Sequence, residues 1–344
     1  MNMHSATPIR PSHADRSISV RQLMQKYGIT EALQLDITEF AINRPGEYWI
    51  EDQSGWHCIE QPSLSLANLQ GLATATAVFC HKKLDRDSPI QSLTLPDGER
   101  SQIVYPPVCL DGTVSMTIRK PSSSRFTLDQ YSQSGRLKPR LTNISDTIQP
   151  WESDLLKMVQ NGRMVEFFQG AAKHHLNVVT VGGTGSGKTT FSKTMIDQYP
   201  ADKRIFTIED AHELTTPYHK NVVPLFYSPK FSAKEILASC MRMKPDHIFL
   251  AELRGDETWD YLMALKSGHQ GSVTSIHAND CRGALYKIAS YIKQSEVGRT
   301  LDMSYILSEV QTTIDVVLYF EKTHLVEIYY DPNKKLKLMK GEAE

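Results

Sequence analysis

Long apolar runs are missing from this 344-residue chain: no stretch approaches the ~20 apolar residues that a membrane-spanning helix needs. The opening segment, Met1–Arg16, is polar and carries Pro8 and Pro11. It lacks the apolar core of a secretory leader, so the expectation is a cytoplasmic protein that reaches a membrane only by docking to something embedded there. An excess of either charge is missing too. Lys and Arg number 38 and Asp and Glu 39, for a net charge of −1, which gives no global pull toward nucleic acid or anionic lipid. Cysteine is sparse. Cys58, Cys80, Cys109, Cys240 and Cys281 are odd in number and never spaced as CxxC, which argues against a zinc site or a disulfide framework and for reduced thiols. There is no internal repeat. With 40% apolar and 22% charged residues the composition is that of an ordinary globular protein, not a disordered or fibrous one. At about 150 residues per domain the length predicts two domains.

Along the chain, residues 1–17 read as a disordered arm and 18–120 as an N-terminal α+β domain. Ser17 reads as the cap of a helix that carries Val20, Leu23, Met24 and Tyr27 at helical spacing and that Gly28 ends. Residues 37–42, 48–50, 56–59, 92–95, 101–105 and 114–118 read as strands, and 64–80 as a helix packed on them. Residues 121–150 are poor in large apolar side chains and are punctuated by Pro121, Pro139 and Pro150. They read as an interdomain linker with one short helix near 128–132. From residue 151 to 344 the pattern is α/β. Residues 151–174 form one amphipathic helical stretch, and 177–181, 205–208, 248–251, 273–276 and 316–319 are β-branched or apolar runs separated by helical segments. That alternation predicts a mainly parallel sheet covered by helices on both faces.

The strongest motif is Gly182-Gly183-Thr184-Gly185-Ser186-Gly187-Lys188-Thr189-Thr190 directly after the run at 177–181. It satisfies G-x-x-x-x-G-K-[ST]. Its glycines let backbone N–H groups turn onto phosphates, Lys188 supplies charge to the β/γ oxygens, and the Thr189 hydroxyl is placed to ligate Mg²⁺. A helix beginning at Lys188 adds its positive end. The cofactors expected are therefore ATP and Mg²⁺.

Three further clusters end strands and so point at the same end of a parallel sheet, where ligands bind. Glu209 and Asp210 follow the run 205–208, and Glu209 is expected to support the metal. Glu252 follows 248–251 and is the candidate to orient or deprotonate an attacking water, with Ala251 standing where many P-loop ATPases carry a metal-shell aspartate. His277 follows 273–276 and is the candidate sensor of a γ-phosphate. Arg119, Arg125, Arg136, Arg204 and Arg254 are the candidates for positive charge at the transferring phosphoryl group, delivered by another domain or subunit. On these residues alone three readings stay open: a motor ATPase, a nucleic-acid translocase, and an adaptor that binds nucleotide without turning it over. Only Lys82-Lys83 and Lys334-Lys335 form basic clusters, which argues against direct nucleic-acid binding.

In this order the clusters resemble the secretion ATPase superfamily, the motors of type II secretion, type IV pili and type IV secretion. The matching segments are the P-loop at 182–189, an aspartate box near 209–213, the lone Glu252, a histidine box near 269–277, and the run from Leu237 through Met241, Arg242, Pro245 and Asp246. Asn43–Gly46 and Ile118–Pro121 are similar to the type IV secretion branch, and the long linker resembles versions from conjugation systems. The absence of a cysteine tetrad agrees with that branch. The resemblance implies a RecA-like P-loop ATPase domain and a homo-hexameric ring. It places the ring against the cytoplasmic face of an inner-membrane channel, with that channel's membrane proteins and other ATPases as partners. It further implies nucleotide between the domains, with Arg119, and also Arg125 or Arg136, near the phosphates. The work implied is pilus assembly and substrate transfer.

Overall fold

A computed structural model describes residues 15–121, 125–139 and 147–342; all but the last three residues of the expected arm lie outside that range. Helices α1 (Ser17–Lys26), α2 (Ile29–Gln34) and α3 (Leu66–Phe79) pack on one face of a six-stranded antiparallel sheet. Its strands are β1 (Glu39–Ile42), β2 (Glu47–Asp52), β3 (Gly55–Glu60), β4 (Ile90–Thr94), β5 (Arg100–Val104) and β6 (Ser115–Arg119), in the order β3-β2-β1-β6-β5-β4. Gly28, at φ +74°, lets the chain turn from α1 directly into α2. Ser65 caps α3, whose Leu69, Leu72, Ala73 and Thr76 recur at helical spacing and are buried. The period of two does the rest. Phe40, Ile42, Met116 and Ile118 belong to the core with the helices, while Glu39, Gln102 and Thr117 alternate with such residues on the buried opposite face.

That opposite face meets the second half of the chain, which begins with α5 (Pro150–Gln160) and α6 (Met164–Lys173); between the halves lies α4 (Leu128–Gln133), which buries no residue. The single helical stretch expected over 151–174 is two helices. Gly162 adopts φ +69° just after α5, a conformation that ends a helix. Then come β7 (Val178–Val181), α7 (Lys188–Ile196), β8 (Ile205–Glu209), β9 (Val222–Phe226), α8 (Ala233–Cys240), β10 (His247–Leu250) and α9 (Glu257–Lys266). They are followed by β11 (Val273–Ile276), α10 (Cys281–Gln294), α11 (Met303–Thr313), β12 (Val316–Glu321), β13 (His324–Tyr330) and α12 (Pro332–Met339).

The strands run parallel in the orders β10-β8-β9 and β11-β7-β12, with β13 added antiparallel to β12. Between β10 and β11 the hydroxyls of Ser272 and Ser275 donate to the carbonyls of Ile248 and Ala251. The central strands are buried along their whole length, the expected result of helices on both faces. β9 was not legible because Pro224 interrupts it. It is tolerated because β9 is an edge strand. β13 lies at the other edge and is mostly half-exposed, so no apolar run marks it.

The two halves share a buried polar seam. Arg204, at the start of β8 and fully buried, lies between Trp56 of the first half and Phe206 of the second, 4.9 and 5.0 Å from the ring centres. Its nitrogens donate to Asn43 Oδ1, Asn221 Oδ1, Thr117 Oγ1 and the Met243 carbonyl. Gln102 donates to Ser239, and the Phe226 N–H to the Val108 carbonyl.

Candidate functional site

The P-loop leaves the end of β7 and enters α7, whose helical hydrogen bonding begins at Lys188. Gly182 sits at φ +148°, and a Cβ there would collide with the Phe320 carbonyl oxygen and Ser186 Oγ. Gly187 sits at φ +91° with Thr323 of the β12–β13 turn against it. Glycine is thus required at both ends of the loop. The first-turn N–H groups of α7 and the Ser186 hydroxyl, buried without a partner, form a cradle suited to an anion. Lys188 Nζ donates to the carbonyls of Gly182 and Gly183 at 2.7 and 2.8 Å. Burial lowers its pKa, and the charge of Glu252 opposes that shift. A cleft of about 430 Å³ opens beside the loop, lined by Gly182, Gly183, His277, Asn279, Asp280 and Lys287. Thr184 and Thr190 are exposed and Thr189 half-buried at the start of α7. Among the described residues no three His, Cys, Asp or Glu side chains gather as a metal cage. The donor set therefore fits a magnesium held chiefly by nucleotide oxygens and one hydroxyl, that of Thr189.

Glu252 and His277 meet, with His277 Nε2 3.2 Å from Glu252 Oε1. The other Glu252 oxygen accepts from Arg254 Nε and Nη2 at 3.0 and 2.8 Å, and Arg254 Nη1 donates to Asp210 Oδ2 at 2.6 Å. These hydrogen bonds, those to Glu252 first, raise the Arg254 pKa further. One chain of contacts thus joins the ends of β11, β10 and β8.

Glu209 stands apart from it. Its carboxylate is fully buried. One oxygen accepts from the N–H groups of Glu213 and Leu214 at 2.8 and 2.7 Å, and the other from the Thr207 hydroxyl at 2.8 Å. The expectation that Glu209 faces the metal is corrected on that ground: its oxygens are committed to folding the loop at 210–214. At the end of β8 the side chain that joins the site is Asp210, linked through Arg254. Strand periodicity explains the exchange, because successive residues point to opposite faces.

The arginines divide as well. Arg204 is the seam residue and is not available to a phosphate. Arg136 stacks on Phe126 at 4.9 Å in the linker segment, where Arg125 is exposed. Arg119 lies 3.5 Å from the buried carboxylate of Glu39. It lines a second cleft of about 250 Å³ with Arg100, its cross-strand partner, and with Arg242. Neither Arg119, Arg125 nor Arg136 lines the P-loop cleft of its own chain. Arg242 belongs to the run that carries the family resemblance but was not among the arginines expected near a phosphate, and Arg100 carries no sequence motif; the pairing of β5 with β6 is what sets Arg100 beside Arg119.

The comparisons agree with this geometry. Residues 63–319 match the family described as type II/IV secretion system protein. The chain is 40% identical over 323 residues to the type IV secretion system protein VirB11 of Brucella abortus (strain 2308), covering 90% of this chain and 89% of that one. It is 36% identical over 309 residues to the type IV secretion system protein PtlH of Bordetella pertussis (strain Tohama I / ATCC BAA-589 / NCTC 13251), covering 86% and 90%. Among solved structures, the VirB11 ATPase from the Brucella suis type IV secretion system, crystallised in complex with sulphate, superposes with a TM-score of 0.89 at 40% identity, covering 94% of this chain and 98% of that one. A family match over most of the chain, together with relatives this similar along nearly their whole length, establishes that the chain belongs to the type II/IV secretion system protein family.

Proposed function

We propose that this secretion ATPase is a Mg²⁺-dependent motor that works as a homo-hexameric ring. The ring docks peripherally on the cytoplasmic face of the inner membrane, beside the membrane proteins and other ATPases of a type IV secretion channel. There it powers pilus assembly and substrate transfer. No helix among the described residues is long and apolar enough to cross a membrane, so docking is the route this reading requires. The observation that carries the catalytic part is the convergence of Lys188, Glu252 and His277 beside a glycine-built anion cradle.

Lys188 is already directed into the loop by two carbonyls and exchanges them for phosphate oxygens, gaining a charged partner for two neutral ones. The backbone N–H groups of 183–190 and the Ser186 hydroxyl hold the remaining oxygens. The Thr189 hydroxyl would hold Mg²⁺, which when bound would neutralise phosphate charge. Glu252 orients the attacking water and accepts its proton. His277, in contact with Glu252, relays the state of the γ-phosphate to that carboxylate. Glu209 serves at one remove, by fixing the 210–214 loop that carries Asp210. Positive charge at the leaving phosphate comes from an N-terminal arginine of a neighbouring copy. Arg119 is the first candidate, with Arg125 and Arg136 behind it, so turnover depends on assembly.

The test is phosphate release from ATP with Mg²⁺ across a wide range of protein concentration, with Lys188→Ala as the blank. Specific activity should rise steeply with concentration. Glu252→Gln should lose about 10²-fold in turnover while still binding ADP. Activity no higher than the blank at every concentration overturns the motor reading, and a Glu252→Gln protein with normal turnover overturns the assignment of Glu252.

A further inference from the structure

We propose that Arg254 is a positioning residue for Glu252 and that Asp210 is the post that holds it. This inference rests on the reading of Glu252 given above. Glu252 sits on the first residues after β10, where the backbone is fixed by the Leu253 N–H to the Ser275 carbonyl at 2.8 Å. Its side chain, however, has rotatable bonds that the strand does not fix. His277 restrains one oxygen and is itself 41% exposed at the cleft mouth. The second restraint is the guanidinium. Arg254 presents Nε and Nη2 to one Glu252 oxygen and reaches Asp210 with Nη1.

The arginine's own backbone is anchored. The N–H groups of Arg254 and Gly255 donate to Glu257 Oε1 at 2.6 and 2.9 Å, and Glu257 is buried in the first turn of α9. The tether therefore runs from a rigid helix end through a planar fork to two carboxylates on adjacent strands. Isolated exposed ion pairs contribute little, but a fork holding two carboxylates in fixed geometry is the exception. Lysine cannot replace it, since a single ammonium is a point charge and cannot span both partners with that geometry. Misplacing a general base by about 1 Å is enough to cost on the order of 10²-fold in rate. Because Asp210 opens the loop that Glu209 organises, the tether also links the position of that loop to the carboxylate that handles water.

The experiment is steady-state ATP hydrolysis and calorimetric ADP binding on the full-length protein, with Arg254→Ala, Arg254→Lys, Asp210→Asn, the Arg254→Ala/Asp210→Asn double variant and Glu252→Gln. Arg254→Ala should lower kcat at least tenfold, with KM for ATP and Kd for ADP changed less than threefold. Arg254→Lys should recover less than a third of the loss. Asp210→Asn should cost a few-fold alone and nothing further in the Arg254→Ala background. A kcat within twofold of wild type in Arg254→Ala overturns the proposal. So does a matching loss of ADP affinity, which would make Arg254 a binding residue, or additive losses in the double variant, which would separate Asp210 from it. Should Arg254→Ala not fold, Arg254→Lys and Asp210→Asn carry the same comparison. Normal turnover in Glu252→Gln would instead bring down the reading of the site itself.

Discussion

Arg204 Nη1 lies 3.0 Å from Asn43 Oδ1, a hydrogen bond between residues 161 positions apart that ties the first half of the chain to the second. The same nitrogen donates to Asn221 at 2.6 Å, and Asn221 accepts from Asn43 as well. Burial pulls the Arg204 pKa down to about 9, so the side chain remains a cation at neutral pH. Its charge is met by side-chain and carbonyl hydrogen bonds, by two aromatic faces and by the nearby acidic groups of Glu39 and Asp246, the latter accepting from the Arg204 backbone N–H.

Replacing Arg204 is therefore expected to loosen the seam. Arg204→Ala leaves Asn43 Oδ1 without its donor, takes one of the two donors from Asn221 Oδ1 and opens a cavity, at a cost of about 3 kcal/mol or more. Arg204→Lys, which cannot supply a fork of donors, should cost about 2 kcal/mol. Urea unfolding of both variants checks the ranking, and limited proteolysis should show first cuts near the seam. Wild-type midpoints would contradict it.

Gly182→Ala tests the loop that holds Lys188. At φ +148° the new methyl group meets Ser186 Oγ and the Phe320 carbonyl, and the latter is backbone of β12 that cannot swing aside. Loss of ADP binding by at least tenfold is expected, with destabilisation of about 1–3 kcal/mol. Isothermal calorimetry and thermal unfolding read the two effects separately.

Glu39 gives a pH dependence whose sign is fixed. Burial raises its pKa from 4.5 to about 7, against the opposing charge of Arg119. The folded protein thus binds more protons than the unfolded chain between those values. The stability this carboxyl contributes is complete below about pH 4.5 and is lost as pH rises through 7. Glu39→Gln should remove that slope, leaving the variant more stable than wild type at pH 8 by up to about 3 kcal/mol and no more stable at pH 4.5. Denaturation midpoints of the two proteins across pH 4.5–8 decide it; parallel curves would count against the shift.

The turn between β12 and β13 offers a stabilising change. Lys322 and Thr323 stand at φ +46° and +68°, where a two-residue hairpin loop favours Asn-Gly and where a β-branched threonine is strained. Lys322→Asn with Thr323→Gly should raise stability by about 1–2 kcal/mol. An unchanged or lower Tm would show that contacts of Thr323 with the P-loop outweigh the strain.

Much of the site was legible because its motifs are local. The loop at 182–190 needs glycines at fixed offsets, and Glu252 and His277 each follow an apolar run that has to be a buried strand. Glu209 and Asp210 were harder to tell apart. Both end the same strand, and the period of two sends one into the core and the other toward Arg254. Sequence spacing does not say which phase the strand takes. Arg204 and Arg254 both flank acidic clusters in the sequence, yet one is a fully buried tie between halves and the other a half-exposed fork at the site.

The sequence by itself determined the glycine loop between β7 and α7, the parallel α/β core and the order of the strand-end clusters. Each depends on residue type at short, fixed spacing, where sterics and hydrogen bonding leave few alternatives. Tertiary structure alone decided which carboxylate faces the site and which arginines cluster with Arg119. It also decided how the two halves are joined, because those contacts link residues distant in the chain: Arg100 and Arg119 are 19 positions apart, Asp210 and Arg254 44, and Asn43 and Arg204 161. Their geometry comes from packing one sheet face against another element, and no local pattern encodes it.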